Sequence, residues 1–517
     1  MSRILWADDE ITLLKPHILY LEKRGYSIDT ATNGFDAVRM ISESDYDLVI
    51  LDEMMVGIDG LETLRRIKSK DLSIKAVMVT KSEEEGIFLE AVGNMIDDYL
   101  TKPVTPLQLY LTIRKNLDKE NILNENISKS YIKNYRSITS MLERDLSYED
   151  WISISEMMTV SSVRLDGIND QSLSLTFDDL RSSANIVFGN YIQKIYPEWV
   201  TEKTERPILS VDIVKKFLIP SIGTEKQALV IIDCMPADQM SVVEDVLRNS
   251  FSVHKDHYFS ILPTLTQFAR NSIFSGMFPS ETEMFFPQVY SEGADDEKSV
   301  NRHEKELLER QLEREGVELE GALKYFKVHQ SEELARIESD ANSLKDTSLV
   351  VFVVNMVDFL LHNRQKDGIV NEMLQNESSY RSTIKSWFEN SSLLRILNKL
   401  GEMDFKIVLT TDHGAKQVRK FTKITGDGAL SGGLRMKYGK NIKVSNKKQT
   451  IFWQKPSDYK MPSIFNGMNI VLSKEDHCFV FEKGLNDFYK QIKNTFQHGG
   501  VSMEEIILPV LTLKTKK

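Results

Sequence analysis

Residues Lys406–Gly414 read KIVLTTDHG. A short apolar run passes through two threonines into Asp412, His413 and Gly414. Such a run is the signature of a strand buried on both faces. Chemistry-bearing residues placed directly after it fall at the strand's carboxyl end, where open α/β sheets keep their ligand sites.

The arrangement recurs on both sides. Ala228–Ile232 (ALVII) leads into Asp233, and Leu349–Val354 (LVVFVV) leads into NMVDFLLH with Asp358 and His362. Near the far end, FQHGGVS at Phe496–Ser502 supplies His498. Each element has an ordinary alternative. Asp233 can cap a helix, Asp358 and His362 four residues apart can form an exposed pair, and TTDHG and HGG can be plain turns. Together they place three Asp and three His at the ends of separate strands, in the order D…DxxxH…DH…HGG. Mixed carboxylate and imidazole sets favour zinc or a similar transition metal over Mg²⁺. Six side chains exceed one tetrahedral ion with an open position; they suit two ions about 4 Å apart around a phosphoryl group.

This ordered set resembles the alkaline phosphatase superfamily, and more narrowly its PglZ-type branch, over residues 205–517. In the phosphodiesterase branch the nucleophile lies in a PTxT turn followed at a fixed interval by TGxYP. Here PTLT at 263–266 is followed by SGMFP at 275–279 in the same register. The resemblance implies that Thr266 is the nucleophile and Thr264 a structural residue of the turn. It implies one zinc ion among Asp358, His362 and His498, and a second among Asp233, Thr266, Asp412 and His413. Metal coordination lowers a hydroxyl pKa enough for attack on phosphorus, so the implied activity is a metal-dependent phosphodiesterase or phosphatase with a threonine nucleophile. An asparagine that donates to a phosphoryl oxygen in that branch falls here on Pro287. Arg270, one helical turn beyond Thr266, is a substitute donor, or an exposed helix arginine.

Two further stretches of this region carry expectations. Residues 293–345 are dense in Glu, Lys and Arg with helical periodicity and read as a solvated helical insert or a cap over the site. GDGALSGGLRMKYGKN at 426–441 reads as a mobile loop whose Arg435, Lys437 and Lys440 meet extra phosphates of an oligonucleotide. The pairs His254/His257 and His303/His329 fit neither metal set and are expected at the surface.

Residues 1–118 alternate strands and helices. Arg3–Ala7, Ile28–Ala31, Asp47–Leu51 and Lys75–Val79 are strand candidates, with amphipathic segments near 11–24, 34–43, 59–69, 86–94 and 105–117. That order predicts a parallel sheet with helices on both faces. At its strand ends stand Asp8 and Asp9, Asp52, Thr80 and Lys102. Three converging carboxylates repel unless a divalent cation lies among them, and oxygen-only ligands suit Mg²⁺. This constellation resembles the response-regulator receiver domain, of flavodoxin-like fold. The resemblance implies phosphorylation of Asp52, Mg²⁺ held by Asp8, Asp9 and Asp52, Thr80 as switch hydroxyl, Tyr99 as switch aromatic and Lys102 on the phosphoryl group. Val56 stands where the family usually has proline, and Lys81 where a small residue is common.

Residues 119–204 show helical spacing and few strand signals, which predicts a helical bundle linker serving as spacer or dimerisation element. The acidic stretch 141–180 has no basic recognition helix, and a net charge of −11 opposes a broad duplex-DNA surface. Two cysteines among 517 residues make no disulfide framework, so a reducing, cytoplasmic setting is expected. The N-terminus MSRILWADDE has no signal-peptide layout.

The whole order of receiver, helical linker and PglZ-type domain is similar to response regulators of the type IX secretion system. That similarity implies a sensor histidine kinase, secretion-system components and an extracytoplasmic-function sigma factor as partners. It also implies an oligonucleotide substrate, cyclic or linear, and a phosphorylation-dependent homodimer. Two readings stay open: a phosphorylation-regulated metallo-phosphodiesterase, or a non-catalytic signalling adaptor whose phosphatase-like domain binds those partners.

Overall fold

The computed structural model describes residues 2–516, apart from 82–94, 118, 169, 292–300, 356–375, 464 and 482–491. The expected helix near 86–94 and the residues Asp358 and His362 therefore lie outside the described residues. The chain forms two compact units, Met1–Lys129 and Ser130–Lys517. No described helix is long and apolar enough to cross a membrane.

In the first unit, strands β1 (Arg3–Ala7), β2 (Ser27–Ala31), β3 (Leu48–Asp52), β4 (Lys75–Thr80) and β5 (Asp98–Thr101) form one sheet in the order β2-β1-β3-β4-β5. Every pairing in it is parallel. β3 reads LVILD and is buried along its whole length, as a central strand covered on both faces must be. Helices α1 (Lys15–Glu22), α2 (Gly34–Glu43), α3 (Gly60–Lys70) and α4 (Pro106–Leu117) supply the cover. The side chain of Asn33 accepts from Asp36 N and that of Asp59 from Glu62 N, fixing the starts of α2 and α3. Asp8, Asp52, Thr80 and Lys102 thereby reach one end of the sheet, as the strand pattern predicts.

A long helix, α5 (Lys119–Met141), contains the boundary between the units. After it come α6 (Tyr148–Leu165) and α7 (Gln171–Val200), so residues 119–204 are helical as expected. A capping box of Ser147 and Asp150 starts α6, and the Asp170 carboxylate accepts from Ser172 N and Leu173 N to start α7. Neither helix stands apart from the rest of the second unit. Trp151, Phe188, Tyr196 and Trp199 are buried in the same apolar core as Leu229, Tyr258, Phe274 and Val510. A spacer would have kept its own separate core; this one shares the core of the phosphatase-like layer.

The second unit is built on a six-stranded sheet. Its strands are β6 (Lys226–Ile232), β7 (Phe251–Phe259), β8 (Ala322–Val328), β9 (Thr347–Val354), β10 (Phe405–Thr410) and the last in sequence, Ile507–Thr515. β6 is parallel to both β9 and β10, and β9 to β8, while the Ile507–Thr515 strand runs antiparallel between β10 and β7. Helices α8 (Ala237–Leu247), α9 (Thr266–Ser275), α10 (Pro279–Phe285), α11 (Glu304–Arg314), α12 (Ser331–Ser339), α13 (Glu377–Asn390) and α14 (Ser392–Glu402) complete this layer. Residues 293–345 are thus not an all-helical insert. Their charged helices α11 and α12 flank β8, which pairs with β9 at the sheet edge.

Beyond β10 come a short pairing of β11 (Lys416–Gln417) with Phe496–Gln497 and a five-stranded sheet. The latter holds β12 (Lys420–Ser431), β13 (Met436–Val444), β14 (Thr450–Trp453), β15 (Asn469–Ser473) and β16 (His477–Val480). Phe496–Gln497 is β17 and Ile507–Thr515 is β18. The expected mobile loop 426–441 is mostly two paired strands, β12 and β13, whose register slips at Asp427 and Ser431 where glycines allow bulges.

Candidate active site

The carboxyl ends of β6 and β10 lie side by side, so Asp233 and Asp412 arrive together. The β11–β17 pairing joins Lys416 to Gln497 and so draws His498 to the same place. The rings of His413 and His498 stack with centroids 4.5 Å apart and planes 17° apart. Thr266 opens α9, with its Oγ1 3.0 Å from His413 Nε2. Ligand-capable atoms of Asp233, Asp412 and His413 all lie within 4.8 Å of one another.

The two threonines of the turn separate cleanly. Thr264 Oγ1 donates to Gly500 O at 3.0 Å and accepts from Gly499 N at 3.1 Å, which ties the turn to the HGG loop. Thr266, 2% exposed, faces the Asp/His cluster instead. Its hydroxyl stands at the N-terminus of a ten-residue helix, the end of the dipole that favours negative charge.

The tautomer of His413 is set by its neighbours. Nδ1 lies 3.1 Å from Gly414 O, which can only accept, so Nδ1 carries the hydrogen and Nε2 presents its lone pair toward Thr266, Asp233 and Asp412. Among the described residues no hydrogen-bond donor reaches the buried Asp233 Oδ1. A carboxylate oxygen with no donor, an imidazole nitrogen turned to the Thr266 hydroxyl, and a second carboxylate in one buried place fit a zinc-like cation.

Arg270 is not an exposed helix residue. It is 1% exposed, and its guanidinium lies on Asp233, on Asp412 (Nε–Oδ2 3.0 Å), on Asn355 Oδ1 (3.2 Å) and on Glu304 Oε1 (3.4 Å). Glu304 in turn receives Lys327 Nζ at 3.0 Å and the Tyr325 hydroxyl. Burial pushes both aspartates up, but for Asp233 the charge of Arg270 and its hydrogen bond outweigh it and hold the carboxyl below its usual range. For Asp412 burial wins, reinforced by the charge of Asp233, and its carboxyl is raised.

The two other expected phosphate contacts are placed elsewhere. Arg435 is fully buried, pairing bidentately with Glu505 (Nε–Oε1 2.9 Å, Nη2–Oε2 2.7 Å). Glu505 also accepts from Gly500 N (2.8 Å) and Ser502 Oγ (2.7 Å), so this pair braces the HGG loop from behind. Lys437 is 7% exposed and donates to Gly432 O at 2.9 Å. Neither is presented to a polyanion, because strand pairing turns both inward; Lys440 remains exposed. His254, His303 and His329 have open or half-open positions, whereas His257 is largely buried, which pushes its pKa down to about 4.

Glu304, Asn355 and Glu505 were not anticipated from the sequence. Glu304 belongs to a run of charged helix residues, and nothing local distinguishes it from its exposed neighbours.

In the first unit, oxygen atoms of Asp8, Asp9 and Asp52 lie within 4.8 Å of one another, an oxygen-only set that fits Mg²⁺. Lys102 Nζ reaches Asp52 Oδ1 at 2.8 Å and Asp8 Oδ2 at 3.3 Å. Burial pushes the Asp52 carboxyl up, with Lys102 opposing and Asp8 adding to the rise. Thr80 hydrogen-bonds Glu53, and Tyr99 is 37% exposed. Val56 and Lys81 are exposed.

Comparison with known proteins agrees with this division. The family model "Response regulator receiver domain" matches residues 4–114, "PorX response regulator linker domain" 121–200, and "BREX system PglZ alkaline phosphatase-like domain" 213–513. The transcriptional regulatory protein ResD of Bacillus subtilis is 36% identical over 113 residues, 22% of this chain and 47% of that protein. The CpxR homolog of Haemophilus influenzae is 34% identical over 139 residues, 27% of this chain and 60% of that protein. The chain thus spans about half the length of these curated relatives. A CheY-like receiver domain protein of Methanospirillum hungatei is similar at 29% identity and TM-score 0.22, covering 23% of this chain and 95% of that one. The response regulator TrrA of Thermotoga maritima is similar at 35% identity and TM-score 0.21, covering 23% and 100%. With receiver, linker and phosphatase-like regions in that order, and the last spanning more than half of its length, the chain belongs to the PglZ alkaline phosphatase-like family, as a response regulator of the PorX type.

Proposed function

We propose that the chain is a cytoplasmic response regulator whose output is metal-dependent hydrolysis of phosphate diesters, with oligonucleotides, cyclic or linear, as substrates. The observation that carries this reading is the Thr266 hydroxyl, buried 3.0 Å from the lone-pair nitrogen of His413 and beside Asp233 and Asp412. Those four residues would hold one zinc ion, and His498, with Asp358 and His362, a second. Bound there, zinc supplies Lewis acidity toward the phosphoryl oxygens and lowers the pKa of a coordinated hydroxyl.

The chain's own residues then have defined tasks. Thr266 Oγ1 loses its proton to solvent and attacks phosphorus; one alcohol of the diester leaves, taking up a proton, and the other ester stays joined through phosphorus to Thr266. Water then cleaves that Thr266–phosphorus ester, releasing a phosphate monoester and restoring the hydroxyl. The N-terminal amides of α9 favour the anionic oxygen. Arg270 offsets the charge of Asp233 and Asp412 and holds both in place, since its guanidinium lies on both carboxylates. As a donor to substrate it would first have to leave those carboxylates; positioning them is the role its burial supports.

In the receiver, Asp52 accepts the phosphoryl group with Mg²⁺ held by Asp8, Asp9 and Asp52 and with Lys102 on its oxygens. Thr80 turning from Glu53 toward that charge, and Tyr99 moving with it, is the switch. Phosphorylation promotes a homodimer and controls hydrolysis, and the protein acts in type IX secretion with secretion-system components and an extracytoplasmic-function sigma factor.

The test is a zinc-loaded screen of mono-, di- and cyclic oligonucleotide hydrolysis, with and without acetyl phosphate treatment, for the unaltered chain and Thr266→Ala. Loss of at least about a thousandfold in kcat is expected for Thr266→Ala with zinc still bound. Full hydrolysis by that variant would refute the nucleophile, and equal rates in both phosphorylation states would refute the control.

A further inference from the structure

The linker helix α7 turns one face to the phosphatase-like layer. On it lie Asp178, Arg181, Asn185 and Tyr196, spaced so that all point the same way along the helix. Arg181, Asn185 and Tyr196 are buried.

Asp178, Asn185 and Tyr196 reach segments next to candidate ligands. Asp178 Oδ2 receives Arg419 Nη1 at 2.9 Å, a few residues beyond His413. Arg181 pairs with Glu377, the first residue of α13. Asn185 Oδ1 accepts from Met503 N at 2.9 Å, and its Nδ2 donates to both oxygens of Glu504 at 3.3 and 3.1 Å, just beyond His498. Tyr196 OH accepts from Leu262 N at 2.9 Å, four residues before Thr266. Glu504 also receives Lys416 Nζ, which lies just past Gly414, so Asn185 and the DHG segment share one anchor. The neighbouring helix α6 adds a fourth path: Asp166 holds Arg381 at 2.6 Å, and Arg381 holds Asp238, five residues beyond Asp233.

We propose that this face of α7 positions the hydrolytic centre, with Asn185 as its principal positioning residue. Among the described residues, none of these four touches a candidate ligand. The face sets the loops that carry them, joining the DHG, HGG and nucleophile segments to one rigid helix. A mere docking surface needs apolar burial anywhere along the helix; Asn185 and Tyr196 make directed hydrogen bonds at the segments that carry candidate ligands. The proposal rests on the metallo-hydrolase reading for its consequence, but not for its geometry.

The test uses the full chain with Co²⁺ as probe, because its visible spectrum reports ligand geometry. Asn185→Leu keeps side-chain volume and removes the bonds to Met503 and Glu504. We expect Co²⁺ affinity to fall about tenfold, with altered absorption bands, as for other residues that orient metal ligands. Amide exchange at 412–419 and 499–505 of the metal-free protein should quicken about tenfold while β6 and β9 are unchanged. Tyr196→Phe should quicken exchange at 262–266 alone. Exchange within about twofold of the unaltered chain at those segments, or quickening spread evenly over the unit, overturns the proposal. If the unaltered chain binds no Co²⁺, the metal reading falls while the exchange data still decide the positioning role. Should Asn185→Leu fail to fold, Asn185→Asp, which keeps the acceptor for Met503 N and sets a like charge beside Glu504, and Tyr196→Phe carry the same exchange criterion.

Discussion

Arg270→Met isolates what the buried guanidinium does. In the unaltered chain three carboxylates with side chains at most 5% exposed, those of Asp233, Asp412 and Glu304, face Arg270. Lys327, 24% exposed, adds a second positive charge on Glu304. The group therefore carries one net negative charge, and two once Arg270 is gone. Removing one partner of a buried pair costs about 3–5 kcal/mol, most of it from leaving charge unpaired. At roughly 2 °C per kcal/mol for a unit of this size, the melting of the metal-free second unit should fall by about 6–10 °C. A divalent cation between Asp233 and Asp412 restores the balance, and at about a thousand times its Kd it contributes about 4 kcal/mol. The zinc-induced rise in melting temperature should therefore be larger for Arg270→Met than for the unaltered chain. Differential scanning calorimetry with and without excess zinc reads both quantities. A metal-free loss below about 1 kcal/mol, or equal zinc-induced rises, would refute the assignment of Arg270 as the charge that stabilises the two aspartates.

Three further outcomes are expected from features outside that cluster. Arg435→Met leaves Glu505 with only Gly500 N and Ser502 Oγ, and urea unfolding should show a loss of about 3–5 kcal/mol, reduced when Glu505→Leu is added. Glu377 is pushed up by burial, but Arg181 and Lys416 outweigh this and hold it at about 2 against an ordinary 4.5. Its folded pKa is depressed, so its stabilisation is complete above pH 4.5 and is lost as pH falls toward 2. Allowing for its 18% exposure, that is about 2–3 kcal/mol, and Arg181→Met should flatten the acid limb of a stability-against-pH curve. Gly414→Ala would set a Cβ 1.9 Å from Glu504 O, and chemical unfolding should show roughly 3 kcal/mol or more of destabilisation.

The strand ends were legible because the chemistry comes directly after unbroken apolar runs such as ALVII and KIVL, which have no other way to be buried. The resemblance separated Thr264 from Thr266 by the interval to SGMFP; in space Thr264 meets Gly499 and Gly500, and Thr266 meets His413. What stayed hidden are the pairs that join distant segments. Arg270 and Glu304 are 34 residues apart, Arg435 and Glu505 are 70 apart, and neither carries a local pattern that marks it as buried. The glycines around Arg435 read as mobility, yet strand pairing around them turns its side chain inward. The helicity of 119–204 showed in its spacing and lack of proline before the last turn of α7. Its shared core did not, since Trp151 and Phe188 fit the inside of a bundle equally well.

The placement of β18 has a consequence for how the protein is made. This strand lies between β10 and β7, and β17, just before it, brings in His498. A polypeptide still being translated, elongated only to residue 495, has β7 with no neighbour in the sheet and one imidazole too few in the centre. The sheet of the first unit can therefore form early on the ribosome, whereas the six-stranded sheet of the second unit is complete only once residues 496–515 have emerged.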